Sequence, residues 1–264
     1  VDVLAPDYLN KGFVDWLSKL GRPLFKRFIA DPSSADGIFS DYDMPNKAVR
    51  HVAQDPGLRT GLWRSVGHSS NAFFKESFID ELAQRAGIDE LQFRLANMKN
   101  NPRLTEATEL VAAKAGWGKA LPEGHFHGLA THSSFGSAVA QIAEVSVEGT
   151  KIVVHKVTAA IHCGLVVNPG IVRDAVEGGI IFGLTAALHG EITLVDGVIQ
   201  QSNFHSYPML RMADAPKVEV HIVESQEHPE GVGEPGLPPL APAVANAVFK
   251  ASGQRLRDLP LRLT

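Results

Sequence analysis

The stretch Asn71 to Gly87, NAFFKESFIDELAQRAG, places Phe74, Phe78 and Leu82 four residues apart and ends on a glycine, so it predicts an amphipathic helix. Asp89, followed three residues later by Gln92, gives a capping-box-like start to ELQFRLANM, and a third helix is predicted from Thr105 to Ala115. After Gly128 the period changes to that of extended chain. AVAQIAEVSV and KIVVHKVTAAI flank Glu148-Gly149-Thr150 as arms of a hairpin, and EITLV and VIQQS flank Asp196-Gly197 as a second. Between the hairpins, Asn168-Pro169 sets a capping side chain before a proline at the first helical position, which predicts a helix running to Gly190. KVEVHIV turns Val218, Val220 and Ile222 to one face. LAPAVANAVFKASG then closes the pattern as a helix with Pro242 near its start and Gly253 at its end. Helices followed by hairpins that helices cross predict an α+β fold, with mixed sheets and packed helices.

Upstream of Gly61 the pattern is turn-rich, with one amphipathic patch, FVDWLSKLGRPLFKRFI, ahead of the loop DPSSADG. Residues 1–60 therefore read as an irregular lead-in or the end of a preceding segment, and 61–264 as the main unit. The chain opens abruptly on Val1, which suggests a processed chain or a piece of a longer one.

Composition narrows the partners. With 264 residues, 44% hydrophobic, the chain can bury a sizeable core. Its 25 basic and 29 acidic residues give a formal charge of -4, which offers no basis for a nucleic-acid surface and points to a small molecule or another protein. The single cysteine, Cys163, excludes an internal disulfide, a Cys-rich zinc site and a ligand set for an iron–sulfur cluster. Apolar runs such as GGIIFGLTAAL are too short to span a bilayer.

The candidate chemistry lies in GVGEPGLPPLAPAVANAVF, whose first six residues spell G-x-G-x-x-G. A dinucleotide loop follows a strand at once and opens a helix that meets the pyrophosphate. Here ESQEHPE separates the last strand from Gly231, and Pro235, Pro238 and Pro239 are incompatible with an immediate helix. What the stretch offers instead is Glu234, a carboxylate on a loop stiffened by prolines and brought close to its surroundings by glycines, as a general base requires.

Read to its end, GVGEPGLPPLAPAVANAVFKASGQRLRDLPL resembles the C-terminal signature of the molybdopterin-binding large subunits of the xanthine oxidase superfamily, in the isoquinoline 1-oxidoreductase β-subunit or aldehyde dehydrogenase branch. GLWRSVGHSSNAFFKESFIDELAQRAG, THSSFGSAVAQIAEVSV, and HCGLVVNPGIVRDAVEGGIIFGL continuing to QQSNFHSYPMLRM resemble the same branch, in order from Gly61 to Leu261. The resemblance implies a molybdenum-cofactor-binding domain, a molybdopterin cytosine dinucleotide shared with an upstream segment or partner chain, and no protein ligand to the metal in this chain. The upstream M-G-Q-G and G-G-G-F-G-R segments of such subunits are not found here, so the resemblance implies the C-terminal part of a large subunit. That part is expected to be inactive without the cofactor-binding half. Implied partners are that N-terminal half, a 2Fe-2S ferredoxin-like subunit that carries electrons away, and a cytochrome as a further acceptor.

By the same resemblance Glu234 is the active-site glutamate, accepting the proton of a hydroxyl whose oxygen attacks an electron-poor carbon of an aldehyde or N-heterocycle. Trp63, Arg64, Ser65, Val66 and Gly67 match the segment lining the site, and Gly233 flanks the base. Arg64 is a candidate partner for cofactor oxygens or, equally, a structural hydrogen-bond donor. Ser65-Val66 stands where relatives carry Gly-Phe, His162 where they carry aspartate, and Phe182 where they carry glutamine. A non-catalytic assembly half is the competing reading. His125, His127 and His132 fit no zinc spacing and read as ordinary loop and strand histidines. Neighbours on a strand face opposite ways, so His162 does not serve Cys163, which reads as a buried structural thiol. Phe73, Phe74, Phe78 and Phe93 read as packing.

Overall fold

Gly149 and Thr150 reverse the chain between Glu148 and Lys151, which pair directly, and this two-residue turn sets the register of the longest hairpin. The computed structural model describes residues 32–38, 41–52 and 61–264. The amphipathic patch at 13–29 lies outside them. Strand β1 (His125–Ser134) pairs antiparallel with β2 (Ser137–Glu148), and β2 pairs antiparallel with β3 (Lys151–His162). A helix, Pro169–Leu188, and a small exposed ribbon of β4 (Leu194–Val195) and β5 (Val198–Ile199) follow. The chain then returns as β6 (Lys217–Ile222), parallel to β3, giving the order β1-β2-β3-β6. A parallel neighbour needs a crossover, and the Pro169–Leu188 helix supplies it.

The helices, in chain order, are α1 (Val66–Ala86), α2 (Glu90–Ala96), α3 (Pro102–Ala115), α4 (Pro169–Leu188) and α5 (Leu240–Ser252). Against one face of the sheet, Val139, Ala143, Val157 and Ile161 meet Val244 and Val248 of α5 and Ile180 and Leu184 of α4. Against the other, Ala140, Ile142 and Ala160 meet Ala107 and Val111 of α3. Burial on both faces explains why β2 and β3 read as near-continuous apolar runs. Among the described residues no helix is long and apolar enough to cross a membrane.

Most predicted elements appear with shifted ends. Asp89 caps α2 by accepting from the Leu91 and Gln92 amides, and Asn168 caps α4 by accepting from those of Gly170 and Ile171. α3 begins three residues early because Asn101 caps it and Pro102 takes its first position. α1 begins at Val66 rather than Asn71, and its buried side differs from the expected one. Phe78 is 57% exposed, while Lys75, Glu76 and Asp80 are buried with Ala72, Phe73, Ile79 and Ala83. The reason is a buried polar network: Glu76 accepts from Tyr42 Oη at 2.7 Å, Arg94 Nε at 3.0 Å and the Thr131 amide at 3.0 Å, while Asp80 binds Arg255 at 2.6 Å. Hydrophobic periodicity cannot register a helix face that buries paired charges. Cys163 is buried in the larger core as expected, and burial raises its thiol pKa.

Candidate functional site

Glu234 sits on a loop held from several sides before α5 begins at Leu240. The Gly231 amide donates to Phe135 O (3.1 Å) and Ser137 Oγ to Gly231 O (2.6 Å). Gln141 Nε2 donates to Gly236 O (2.6 Å), and the Leu237 amide to Glu234 O (3.0 Å). A Cβ at Gly236 would lie 2.9 Å from Val176 Cα and O, so only glycine lets the loop rest against α4. Gly231 and Gly236 thus serve contact with neighbouring protein atoms. No helix starts where a phosphate fingerprint needs one.

The start of α1 meets this loop. Ser65 and Val66 have φ of 73° and 43°, a left-handed conformation that costs non-glycine residues about 1–3 kcal/mol each. That backbone path directs the Ser65 amide to Glu234 Oε1 (2.9 Å), while Ser65 Oγ donates to Glu234 O (2.9 Å). The hydroxyl is therefore absent from the helix as a cap. Arg64 Nε donates to Gly233 O at 2.9 Å, Nη2 donates to the same oxygen, and Nη2 reaches Ala175 O at 3.3 Å. Trp63 lies on Phe182 with ring centroids 5.1 Å apart, both rings roughly two-fifths exposed. Gly67 is buried in the first turn of α1, one residue past half-buried Val66. The two segments singled out in the sequence, Trp63–Gly67 and Gly233–Glu234, thus converge across most of the chain's length.

What remains open at this junction indicates its chemistry. Among the described residues no hydrogen bond reaches Glu234 Oε2, and beyond Gly233 and its chain neighbours no heavy atom lies within 4 Å of where a Cβ on Gly233 would be. A half-buried carboxylate with one oxygen held and the other uncommitted can accept a proton in a fixed direction. Arg64 donates to two backbone carbonyls, those of Gly233 and Ala175.

Sequence reasoning missed the groups behind this junction. His68 Nδ1 lies 2.9 Å from His132 Nε2, and His132 Nδ1 lies 3.0 Å from Lys75 Nζ, which pairs with Asp41. Burial lowers the pKa of His68 and takes that of His132 well below the ordinary range. His68 falls one residue past the quoted WRSVG segment. Only the fold brings His132, on β1, to it. His125 has a carboxylate partner that spacing did not reveal, Glu144 at 2.7 Å, and His127 stacks on Trp117. Among the described residues no three His, Cys, Asp or Glu side chains are grouped to hold a metal. His162 faces α3, 3.5 Å from Glu106, on the other side of the sheet from Cys163.

Comparison with known proteins places the chain. Residues 73–216 match the model of the molybdopterin cofactor-binding domain. Isoquinoline 1-oxidoreductase subunit beta of Brevundimonas diminuta is 34% identical over 253 residues, 94% of this chain and 32% of that protein. Membrane-bound aldehyde dehydrogenase [pyrroloquinoline-quinone] of Gluconacetobacter polyoxogenes is 32% identical over 237 residues, 82% of this chain and 31% of that protein. The chain thus spans under a third of either relative. Aldehyde oxidoreductase from Desulfovibrio gigas shares the fold, with a TM-score of 0.66 over 92% of this chain and 44% of that one, at 15% identity. A domain match over more than half of the chain, joined to these relatives, identifies it as a member of the xanthine oxidase family of molybdopterin-binding oxidoreductase subunits.

Proposed function

We propose that residues 61–264 form the C-terminal part of the cofactor-binding domain of a molybdenum hydroxylase large subunit, with residues 1–60 leading into it, and that Glu234 is its general base. The observation that carries this reading is the asymmetric hold on the carboxylate: Oε1 takes the Ser65 amide at 2.9 Å while Oε2 has no hydrogen bond among the described residues. What supports the fit of the cofactor is the open space beside Gly233 and the Trp63–Phe182 wall, which suit a planar group, while the Ser65, Val66 and His68 amides are committed to Glu234 Oε1, Trp63 O and Ser65 O. When bound, the molybdenum cofactor supplies a two-electron acceptor and an acidified water-derived nucleophile.

The chain's own residues do the rest. Glu234 receives the nucleophile's proton at Oε2, Ser65 keeps the carboxylate from rotating, and Arg64 holds Gly233 so that the base keeps its place. Trp63 and Phe182 offer an apolar edge to a planar substrate, an aldehyde or an N-heterocycle. The cofactor, in its cytosine dinucleotide form, is shared with the N-terminal half of the subunit. Electrons leave through a 2Fe-2S partner subunit. Replacement of Glu234 by Gln in the assembled complex is expected to abolish turnover while bound molybdenum is unchanged. Normal turnover would leave the chain as an assembly half.

A further inference from the structure

The buried string behind Glu234 fixes hydrogen positions. Lys75, paired with Asp41, has three ammonium N–H groups, and three acceptors lie around it: Asp41 Oδ2, Gly37 O at 3.2 Å and His132 Nδ1 at 3.0 Å. His132 Nδ1 must then be a bare lone pair. A neutral His132 carries its proton on Nε2 and donates it across 2.9 Å to His68 Nδ1. That nitrogen is thereby also an acceptor, so a neutral His68 carries its proton on Nε2, the ring nitrogen away from the string. His68 stands one turn into α1 from Ser65, which binds Glu234, and its ring meets that of Phe135 at 5.1 Å, whose carbonyl anchors the Glu234 loop at Gly231.

We propose that His68 is a hydrogen-bond donor of the candidate site, an imidazole whose tautomer Lys75 sets through His132, and that its Nε2–H binds the lone-pair acceptor next to the reacting carbon of the substrate. Resting on the reading of Glu234 as base, this assigns a division of labour. Glu234 accepts a proton, and His68 does not compete for it because its Nδ1 lone pair is occupied. An aldehyde oxygen and the ring nitrogen of an N-heterocycle both offer such an acceptor, and both gain negative charge when the neighbouring carbon is attacked, which a fixed donor stabilises. Among the described residues, the charged and titratable groups acting on His68 are Asp36, Asp41, Lys75, His132 and Glu234. Burial opposes a charged imidazole in their midst.

The glycine at 37 shows how closely the bridge is packed. A Cβ there would meet His68 Nδ1 at 2.5 Å and His132 Nε2 at 2.6 Å, and its φ is +81°. Gly37→Ala therefore breaks the bridge without removing either ring.

The test measures deuterium exchange at the imidazole C2 positions by mass spectrometry against pH in the assembled wild-type enzyme, with turnover of His68→Gln, His68→Leu and Gly37→Ala beside it. Expected are His68 and His132 midpoints both below the ordinary 6.5, with that of His132 the lower of the two. Gln keeps a donor near the Nε2 position, so His68→Gln should hold kcat/KM within about 5-fold, whereas His68→Leu should lose about 100-fold, the usual effect of removing one such donor. Gly37→Ala should raise the His68 midpoint. A wild-type His68 midpoint at or above 6.5, or equal kcat/KM for the Gln and Leu variants, overturns the proposal. Exchange reads the imidazoles without turnover, so it separates this outcome from failure of the Glu234 reading, which only Glu234→Gln reports.

Discussion

Substituting alanine at Gly236 and at Gly233, on either side of Glu234, separates contact with protein from the space proposed for a ligand. At Gly236 the new methyl would meet Val176 Cα and O at 2.9 Å and its Cγ1 at 3.2 Å, distances that force the loop or α4 to give by about half an ångström. Neither side is free to move. Gln141 holds the Gly236 carbonyl at 2.6 Å, and Val176 is packed in the larger core. Overpacking of this kind costs about 1–3 kcal/mol, and about 2 kcal/mol in a chain of this size lowers the Tm by about 4–8 °C. At Gly233 no heavy atom of the described residues beyond its chain neighbours lies within 4 Å of the methyl, so Gly233→Ala should change stability by less than about 0.5 kcal/mol. Thermal unfolding of the two variants is the first assay, and molybdenum content and turnover of the assembled complex the second. Gly236→Ala should be destabilised, with turnover reduced because Glu234 shifts with its loop. Gly233→Ala should melt like the parent yet lose cofactor or turnover, because its methyl enters the space assigned to the ligand. An unshifted Tm for Gly236→Ala would refute the packing argument. Full turnover in Gly233→Ala would refute the placement of the ligand.

Other expectations are narrower. Glu76→Gln leaves Arg94, among the described residues, with only Asp80 at 3.9 Å as an anionic partner in a fully buried setting, and should cost about 3–5 kcal/mol in urea unfolding. Ser65→Ala removes the hydroxyl bond to Glu234 O but keeps the amide bond to Oε1, so it should cost about 1 kcal/mol and lower kcat far less than Glu234→Gln does. His132 links stability to pH. Burial first, then Lys75 and His68, hold its pKa well below 6.5, so the unfolded chain takes up a proton that the folded chain refuses. Its contribution is complete above pH 6.5 and declines by about 1.4 kcal/mol per unit as pH falls below that value. Urea midpoints at pH 8, 6 and 5 should converge between parent and His132→Gln as the pH drops, and parallel curves would refute the assignment.

Much of the molecule was legible from local chemistry. Asp89, Asn168 and the turn at Gly149 act through groups within a few residues of themselves, so their capping and reversal could be read without knowing what lies across the fold. The prolines after Glu234 likewise ruled out a phosphate loop on their own, because a missing N–H and a fixed φ are properties of the residue. The α1 face was misread for the opposite reason. Lys75, Glu76 and Asp80 are buried only because Asp41, Arg94 and Arg255, remote in sequence, arrive to pair with them.

The site divides in the same way. By itself the sequence determined that Glu234 sits on a short, stiff, glycine-flanked loop, and a family resemblance set Trp63–Gly67 beside it as a candidate part of the same site. It could not show that Ser65 takes a left-handed turn to put its amide on the carboxylate, or that His68 and His132 touch and are oriented by one lysine. Those contacts join residues separated by scores of positions, and what decides them is the packing of α1, β1 and the Glu234 loop against each other. Backbone chemistry is local, whereas the direction of a hydrogen bond between distant groups exists only once the tertiary fold has excluded water and set the distance.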